Sequence, residues 1–183
     1  LGSFQPADHQ NGSVYWLRGQ KGGTFTPVVL AEGLSRMADA QAADFDGDGD
    51  LDLVLAIFGW RRTGNITVLE NRTRSWSAPV FTPTVVDART GAIHTPVADL
   101  NGDGRPDFVA LLAQQHESVV AFVNTGKGLT FTPTTIYAAP HPNWGSSGID
   151  LVDLDKDGDM DVLLTHGDTF DDFVLKPYHG IQW

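Results

Sequence analysis

One acidic segment occurs three times in this chain: Asp44-Phe-Asp-Gly-Asp-Gly-Asp-Leu-Asp52, Asp99-Leu-Asn-Gly-Asp-Gly-Arg-Pro-Asp107 and Asp153-Leu-Asp-Lys-Asp-Gly-Asp-Met-Asp161. The first residues of the copies lie 55 (99 − 44) and 54 (153 − 99) positions apart. A fixed period of this size marks a repeat architecture, in which one supersecondary unit recurs and neighbouring units bury one another's faces. A second marker keeps the same rhythm: Phe25-Thr26-Pro27, Phe81-Thr82-Pro83 and Phe131-Thr132-Pro133. The segments before each marker also correspond: Ser13-Val14-Tyr15-Trp16-Leu17, Asn65-Ile66-Thr67-Val68-Leu69 and Ser118-Val119-Val120-Ala121-Phe122.

Each unit reads as four short strands. An apolar run follows every acidic loop: Leu53-Val54-Leu55-Ala56-Ile57, Phe108-Val109-Ala110-Leu111-Leu112 and Val162-Leu163-Leu164. These runs are too short for helices and are bounded by turn residues, so they predict buried strands. A second strand and a turn such as Asn124-Thr125-Gly126 precede the Phe-Thr-Pro strand, whose proline is tolerated at a sheet edge. A fourth strand, over 39–43, 94–98 and 148–152, leads into each acidic loop. No segment carries a sustained helical stripe. Four strands in about 50 residues is the size of a propeller blade. The expectation is an all-β chain, a β-propeller of four-stranded blades with about three to three and a half blades present as a partial ring. The blades are expected at 1–36 (partial), 37–91, 92–146 and 147–183 (partial). A β-sandwich of irregular strands would not repeat internally at this period.

Within each loop, side-chain oxygens fall at positions 1, 3 and 5: Asp44, Asp46, Asp48; Asp99, Asn101, Asp103; Asp153, Asp155, Asp157. Glycine holds position 6 (Gly49, Gly104, Gly158) and aspartate position 9 (Asp52, Asp107, Asp161). Alternate residues turn oxygens inward as the chain wraps a point, and glycine permits the turn. Position 7 (Asp50, Arg105, Asp159) can offer its backbone carbonyl, which leaves its side chain free to vary. The donor set is all oxygen and largely anionic, which suits a hard cation, and five or more protein oxygens favour Ca²⁺ over Mg²⁺. About three Ca²⁺ ions are expected, one per loop. With no cation, like charges at ~4 Å would each cost roughly 1 kcal/mol in water. A helix–loop–helix calcium hand is disfavoured, because position 12 holds Leu55, Ala110 and Leu164 where that motif needs a bidentate Glu.

Charge sharpens the reading. Formal net charge is −11, and 13 of the 23 acidic residues sit in the three loops. Three divalent ions would leave about −5. An acidic chain lacks the basic face that nucleic acid requires. The longest apolar run, 53–58, falls far short of the ~18 residues of a membrane helix. With no cysteine, disulfides, thiolate metal sites and cysteine nucleophiles are excluded. The chain opens at Leu1 without a basic, apolar, small-residue leader, so it reads as processed or as part of something longer.

These motifs resemble the FG-GAP/VCBS repeat family, the calcium-loop propellers of integrin α-subunits and many secreted bacterial proteins. The loops starting at Asp44 and Asp153 match the family motif closely, and the loop starting at Asp99 is a variant of it. The resemblance implies a β-propeller with one calcium on the loop between the first two strands of a blade. It also implies an extracellular, cell-surface or periplasmic location. Closed propellers need about four to eight blades. The missing blades are expected from a longer chain, from a second copy or from a different protein partner. Residues 1–4 read as the tail of a strand and 180–183 as a strand beginning. The implied role is a non-catalytic binding, interaction or structural scaffold.

The alternative is a carbohydrate lyase or dehydratase, since some relatives of the C-terminal segment 165–183 process sugars on such propellers. Its candidate residues are His94, His166 and His179. His94 lies five residues before Asp99, where Asp39 lies before Asp44. His166 and His179 cluster in sequence with Asp168, Asp171, Asp172 and Tyr178. No nucleophile motif, phosphate loop or HExxH is present. Trp16, Trp60, Trp76, Trp144 and Trp183 raise glycan stacking, although tryptophans in a propeller more often pack between blades. Asn11-Gly-Ser, Asn65-Ile-Thr and Asn71-Arg-Thr fit the glycosylation acceptor pattern.

Overall fold

The computed structural model describes residues 9–60, 62–114, 116–142, 144–167 and 180–182. Among them there are fourteen strands and no helix. The strands form four antiparallel sheets in chain order. The first pairs β1 (Gly12–Gly19) with β2 (Phe25–Leu34). The second runs β3 (Met37–Ala43), β4 (Asp52–Ile57), β5 (Asn65–Asn71), β6 (Phe81–Asp87). In the third, the inner strand is split into β7 (Ala92–His94) and β8 (Val97–Ala98). Both halves pair with β9 (Asp107–Leu112), and β10 (Ser118–Asn124) and β11 (Phe131–Ala138) follow. The fourth is β12 (Ser146–Val152), β13 (Asp161–His166) and β14 (Gly180–Gln182). The split falls at Thr95-Pro96. Proline has no N–H to give a ladder, and the Pro96 carbonyl instead accepts from the Val109 amide at 3.0 Å. The reading of residues 1–4 as the tail of a strand lies outside the described residues.

The continuous apolar runs are explained by what lies on either side of them. Along β4, Leu55 and Ile57 pack toward the first sheet with Val14, while Val54 and Ala56 pack toward the third. Along β9, Phe108, Ala110 and Leu112 face the second sheet, while Val109 and Leu111 face the fourth with Leu164. Successive side chains of a strand point to opposite faces, so a strand covered on both faces must be apolar at every position. The four sheets therefore stack face to face in sequence order. Three equivalent register shifts interrupt the inner strands, at Met37/Asp39, Ala92/His94 and Ser146/Gly148. Each lies seven residues before the first aspartate of an acidic loop, so the repeat extends to backbone irregularities.

The centre of the stack is aromatic. Phe108 lies parallel to Phe122 at 4.6 Å between ring centroids and meets Phe45 and Phe131 edge-on at 6.1 and 5.1 Å. All four residues pack in the core between the second and third sheets. Replacing Phe108 with alanine is expected to cost about 3–5 kcal/mol of unfolding free energy, because the void has rigid sheets on both sides. Urea denaturation followed by tryptophan fluorescence measures this.

Candidate metal centres

The three acidic loops join the inner strand of a sheet to its neighbour: β3 to β4, β8 to β9 and β12 to β13. Their backbones are held by their own carboxylates. In the first loop, Asp44 Oδ1 accepts from the amides of Gly47 and Asp48 at 2.8 and 3.1 Å, and Oδ2 from Gly49 at 3.0 Å. Asp99 repeats this with Gly102, Asp103 and Gly104 at 2.8, 3.2 and 2.7 Å. Asp153 does so with Asp157 and Gly158, both at 3.1 Å. The glycine at position 6 has φ of +96° in Gly49, +82° in Gly104 and +101° in Gly158. A Cβ there would meet nothing within 4 Å, so backbone conformation and not space demands glycine.

Position 9 has a role that its place in the pattern did not reveal. Asp52 Oδ2 accepts from the Phe45 amide at 3.1 Å, Asp107 Oδ2 from Leu100 at 2.9 Å and Asp161 Oδ2 from Leu154 at 2.9 Å. The other oxygens of Asp52 and Asp107 accept from the amides of Asn71 and Asn124 at 2.8 and 2.7 Å. Each of these two buried carboxylates thus clamps its loop to the far end of the next hairpin. The asparagines complete the clamp. Asn71 Nδ2 donates to the Leu51 carbonyl at 3.1 Å, and Asn124 Nδ2 to the Phe45 carbonyl of the neighbouring sheet at 2.8 Å. Asn71 is buried. Its side-chain amide is engaged in the folded chain, which explains the residue without the acceptor pattern of the sequence.

The arrangement suits a hard cation. Ligand atoms of Asp44, Asp46 and Asp48 lie within 4.8 Å of one another, and so do those of Asp153, Asp155 and Asp161. In the first loop, Asp50 Oδ1 is buried with no hydrogen-bond partner. Burial and the neighbouring carboxylates Asp48 and Asp44 push the Asp50 carboxyl up, and burial with Asp48, Glu70 and Asp44 nearby pushes up Asp46. Burial, with Asp46 and Asp50 close by, raises Asp52 to about 6 against the pull of its two amide bonds. This is uncompensated negative charge on fixed oxygens. In the third loop, Asp157 Oδ1 accepts from the Asp159 amide at 2.9 Å, as Asp48 does from Asp50.

The second loop differs. Arg105 turns its guanidinium back onto Asp103 Oδ2, which also accepts from Asn101 Nδ2 at 2.9 Å. A tethered cation therefore already sits on one of its carboxylates. Asp99 is held below the usual carboxylate range, chiefly by the Gly104 amide.

The histidine candidates do not converge among the described residues. His94 Nδ1 lies 3.8 Å from Asp39 Oδ2, so the two residues at matching places before their loops meet. That is an ion-pair contact, too long for a hydrogen bond. Asp39 Oδ2 also accepts from the Thr95 amide at 2.9 Å. The pair therefore joins β3 of the second sheet to β7 of the third. His166 packs on Trp144, with 4.5 Å between ring centroids. His179, Asp168, Asp171, Asp172 and Tyr178 lie outside the described residues. Neither group of convergent metal-ligating side chains contains a histidine. Trp16 and Trp76 meet edge-on at 5.2 Å, and Trp60 meets Phe58 at 6.0 Å, so three of the tryptophans have aromatic partners within the fold.

Stacked antiparallel sheets, three of the four carrying an acidic Asp/Gly loop between their first two strands, define an all-β repeat protein. The chain belongs to the FG-GAP-like repeat family, whose pattern matches residues 6–55, 44–110 and 99–164. No curated protein and no solved structure matches it significantly.

Two outcomes are expected. Asp107→Ala leaves the Leu100 and Asn124 amides without their acceptor and should cost about 1–3 kcal/mol for each buried donor. Denaturation in excess chelator keeps any ion out of this comparison. The second outcome concerns pH. Asp39 raises the pKa of His94, helped by the backbone of Ser147, against the opposing effect of burial. A raised histidine stabilises the fold fully below its unfolded value near 6.5 and loses that contribution as pH rises through the higher folded value. The wild type should therefore lose up to about 1 kcal/mol relative to Asp39→Asn between pH 6 and 9, the pair being partly exposed. Paired thermal melts at constant calcium read this difference.

Proposed function

We propose that this chain is a calcium-stabilised module of β-propeller type, working outside the cell as a binding or structural scaffold. The observation that carries the reading is the set of carboxylates fixed around the first and third loops, with buried Asp50 Oδ1 left over for a cation. In the first loop, Asp44, Asp46, Asp48, Asp50 and Asp52 would hold the ion. In the third, Asp153, Asp155, Asp157, Asp159 and Asp161 would do so. In the second, Asp99, Asn101, Asp103, the backbone of Arg105 and Asp107 would form the set. When bound, Ca²⁺ would supply positive charge to oxygens that otherwise repel one another. The residues themselves do the rest: position 1 shapes the loop through its amide bonds, and position 9 ties it to the sheet.

The family membership supports the propeller type and an extracellular, cell-surface or periplasmic setting. Blade-to-blade stacking of the sheets agrees with it. The carbohydrate lyase alternative has less behind it, since Asp39 and His94 are engaged in joining two sheets and His166 packs on Trp144. A protein or glycan ligand would be met by the loops and outer strands.

Calcium titration by calorimetry and thermal melting with and without chelator test the proposal. Two tighter sites and one weaker site are expected, the weak one being the loop occupied by Arg105. An ion bound at 100 times its dissociation constant adds about 2.7 kcal/mol per site, so chelation should lower the melting temperature sharply. Arg105→Ala should strengthen the weak site and leave the other two unchanged. Melting that is indifferent to chelator, with no heat on titration, would remove the proposal.

A further inference from the structure

The strand ends opposite the acidic loops carry a second built site. β4, β6 and β9 all run away from those loops, so the connections that follow them meet at the far end. The ladders pair Ile57 with Asn65, Ile66 with Asp87 and Leu112 with Ser118 there. Two backbone hydrogen bonds stitch the three connections together across the second and third sheets. The Gly91 amide donates to the Phe58 carbonyl and the Ala113 amide to the Gly91 carbonyl, both at 2.8 Å. Gly91 has φ of +87°, and a Cβ on it would stand 2.5 Å from the Ala113 carbonyl oxygen, so the stitch requires glycine. On its other side the third connection is anchored by Glu117, whose buried carboxylate accepts from the Ser146 amide of the fourth sheet at 2.9 Å.

A cavity of about 680 Å³ opens among these connections, and its lining includes Arg62 after β4, Val86, Asp87, Ala88 and Arg89 at the end of β6, and His116 after β9. Small-molecule sites span about 300–1,000 Å³. Asp87 fixes the Arg89 guanidinium. Arg89 Nε donates to Asp87 Oδ1 and Oδ2 at 3.0 and 3.1 Å, and Nη2 to Oδ2 at 2.6 Å. This fork leaves Nη1 for a further acceptor. It also cancels the one acidic side chain of the lining, so Arg62 makes the cavity locally basic in a chain of net charge −11. Burial and the Arg89 guanidinium push the His116 imidazole down, against the pull of Asp87. The backbone on either side is strained. Among the described residues four non-glycine residues have positive φ, and three of them flank Arg62 and His116: Trp60 at +34°, Gln114 at +62° and Glu117 at +40°. Such conformations persist where the surroundings over-determine the backbone, and they cluster at binding sites.

We propose that this cavity binds a small organic carboxylate, its anionic group taken by Arg62 and Arg89 and its carbon body lying against Val86 and Ala88. A guanidinium held in a fixed plane matches the planar carboxylate and can meet it with two parallel hydrogen bonds. A bare inorganic oxyanion would leave most of the volume to water and make no use of the apolar wall. A neutral ligand would gain nothing from the arginine charges. The site is independent of the candidate metal centres, which lie at the opposite strand ends and share no residue with it.

Calorimetric titration of the whole chain at constant calcium tests this, with glucuronate and succinate as carboxylate probes and glucose and inorganic sulfate as controls. At least one carboxylate should bind, and at least about tenfold more tightly than either control. The tighter of the two tells whether the body is a hydroxylated ring or a plain chain. Arg62→Gln and Arg89→Lys should each weaken binding at least about tenfold, the second because lysine keeps the charge and loses the fork. Arg62 is exposed, so its variant should melt as the wild type does. The His116 imidazole, followed by NMR and assigned with His116→Gln, reports on this cavity alone. A bound carboxylate should raise its pKa, opposing the effect of Arg89. No binding of either carboxylate, equal binding of glucose or sulfate, binding unaffected by both arginine variants, or a His116 titration unmoved by bound carboxylate would each overturn the inference. None of the variants touches an acidic loop, so calcium binding is read separately.

Discussion

Everything in this structure hangs on a carboxylate bonded to a backbone amide seven residues before it. The position-9 aspartate of each loop accepts from position 2, and in the first two loops its other oxygen takes the amide that ends the third strand of the sheet. Charge-assisted bonds to N–H groups are roughly twice as strong as neutral ones. They hold the loop at a fixed angle to the sheet, and that angle aims the position-2 side chain at the next sheet. Loop conformation and sheet stacking are therefore one problem: the group that closes the loop also places the apolar position-2 side chain, as Phe45 against the third sheet.

This coupling accounts for the two-sided burial of β4 and β9. Once the position-2 side chains set the spacing, the second strands of the second and third sheets have a neighbour on either face, and beyond the clamping aspartate at their start they carry no polar side chain. Polar groups are pushed to the rims, where Asp39, His94 and Thr95 bridge inner strands and Asn71 and Asn124 close the opposite ends. Burying Asp52 and Asp107 would be costly for isolated carboxylates, and the two amides each receives offset that cost. Asp52 still rises to about 6, chiefly because it is buried, with Asp46 and Asp50 adding to the push against its two amide bonds.

Much of this was legible in the sequence, for a physical reason. Ligand oxygens at alternate positions, a glycine forced to positive φ and an apolar run are strong local signals, and repetition at 54–55 residues multiplied them. The strands, the loops and the matching places of Asp39 and His94 follow from them. What could not be read arises between segments distant in sequence. Asp107 binding the Asn124 amide spans 17 residues, and Asn124 reaching Phe45 spans 79. Asn71 carried a glycosylation pattern that says nothing of its burial. Arg105 was legible as unfit to ligate through its side chain, but not as a cation folded onto Asp103, because that depends on rotamer and on room beside Gly126. The asparagines did leave one signal, since both stand at the end of the strand before a Phe-Thr-Pro segment.

The three loops share a backbone and differ in charge, and the difference runs along the stack. The first loop carries five aspartates, with a buried oxygen lacking a partner. The second replaces one aspartate with asparagine and another with an arginine that neutralises a third. The third regains five aspartates but puts Lys156 at the left-handed position that Gly47 and Gly102 occupy in the others, with φ of +65°. A residue with a Cβ is strained there by about 1–2 kcal/mol, so the third loop is less well preformed although it has as many aspartates as the first, and Lys156 offsets one of their charges. Preformation and charge are thus varied independently on one scaffold. The second loop lies on the most buried sheet and carries the least unbalanced charge, since Arg105 lies on Asp103. The third loop leads into β13, which is half-buried along most of its length, and there the loop's own charge balance weighs more on whether the sheet holds its shape.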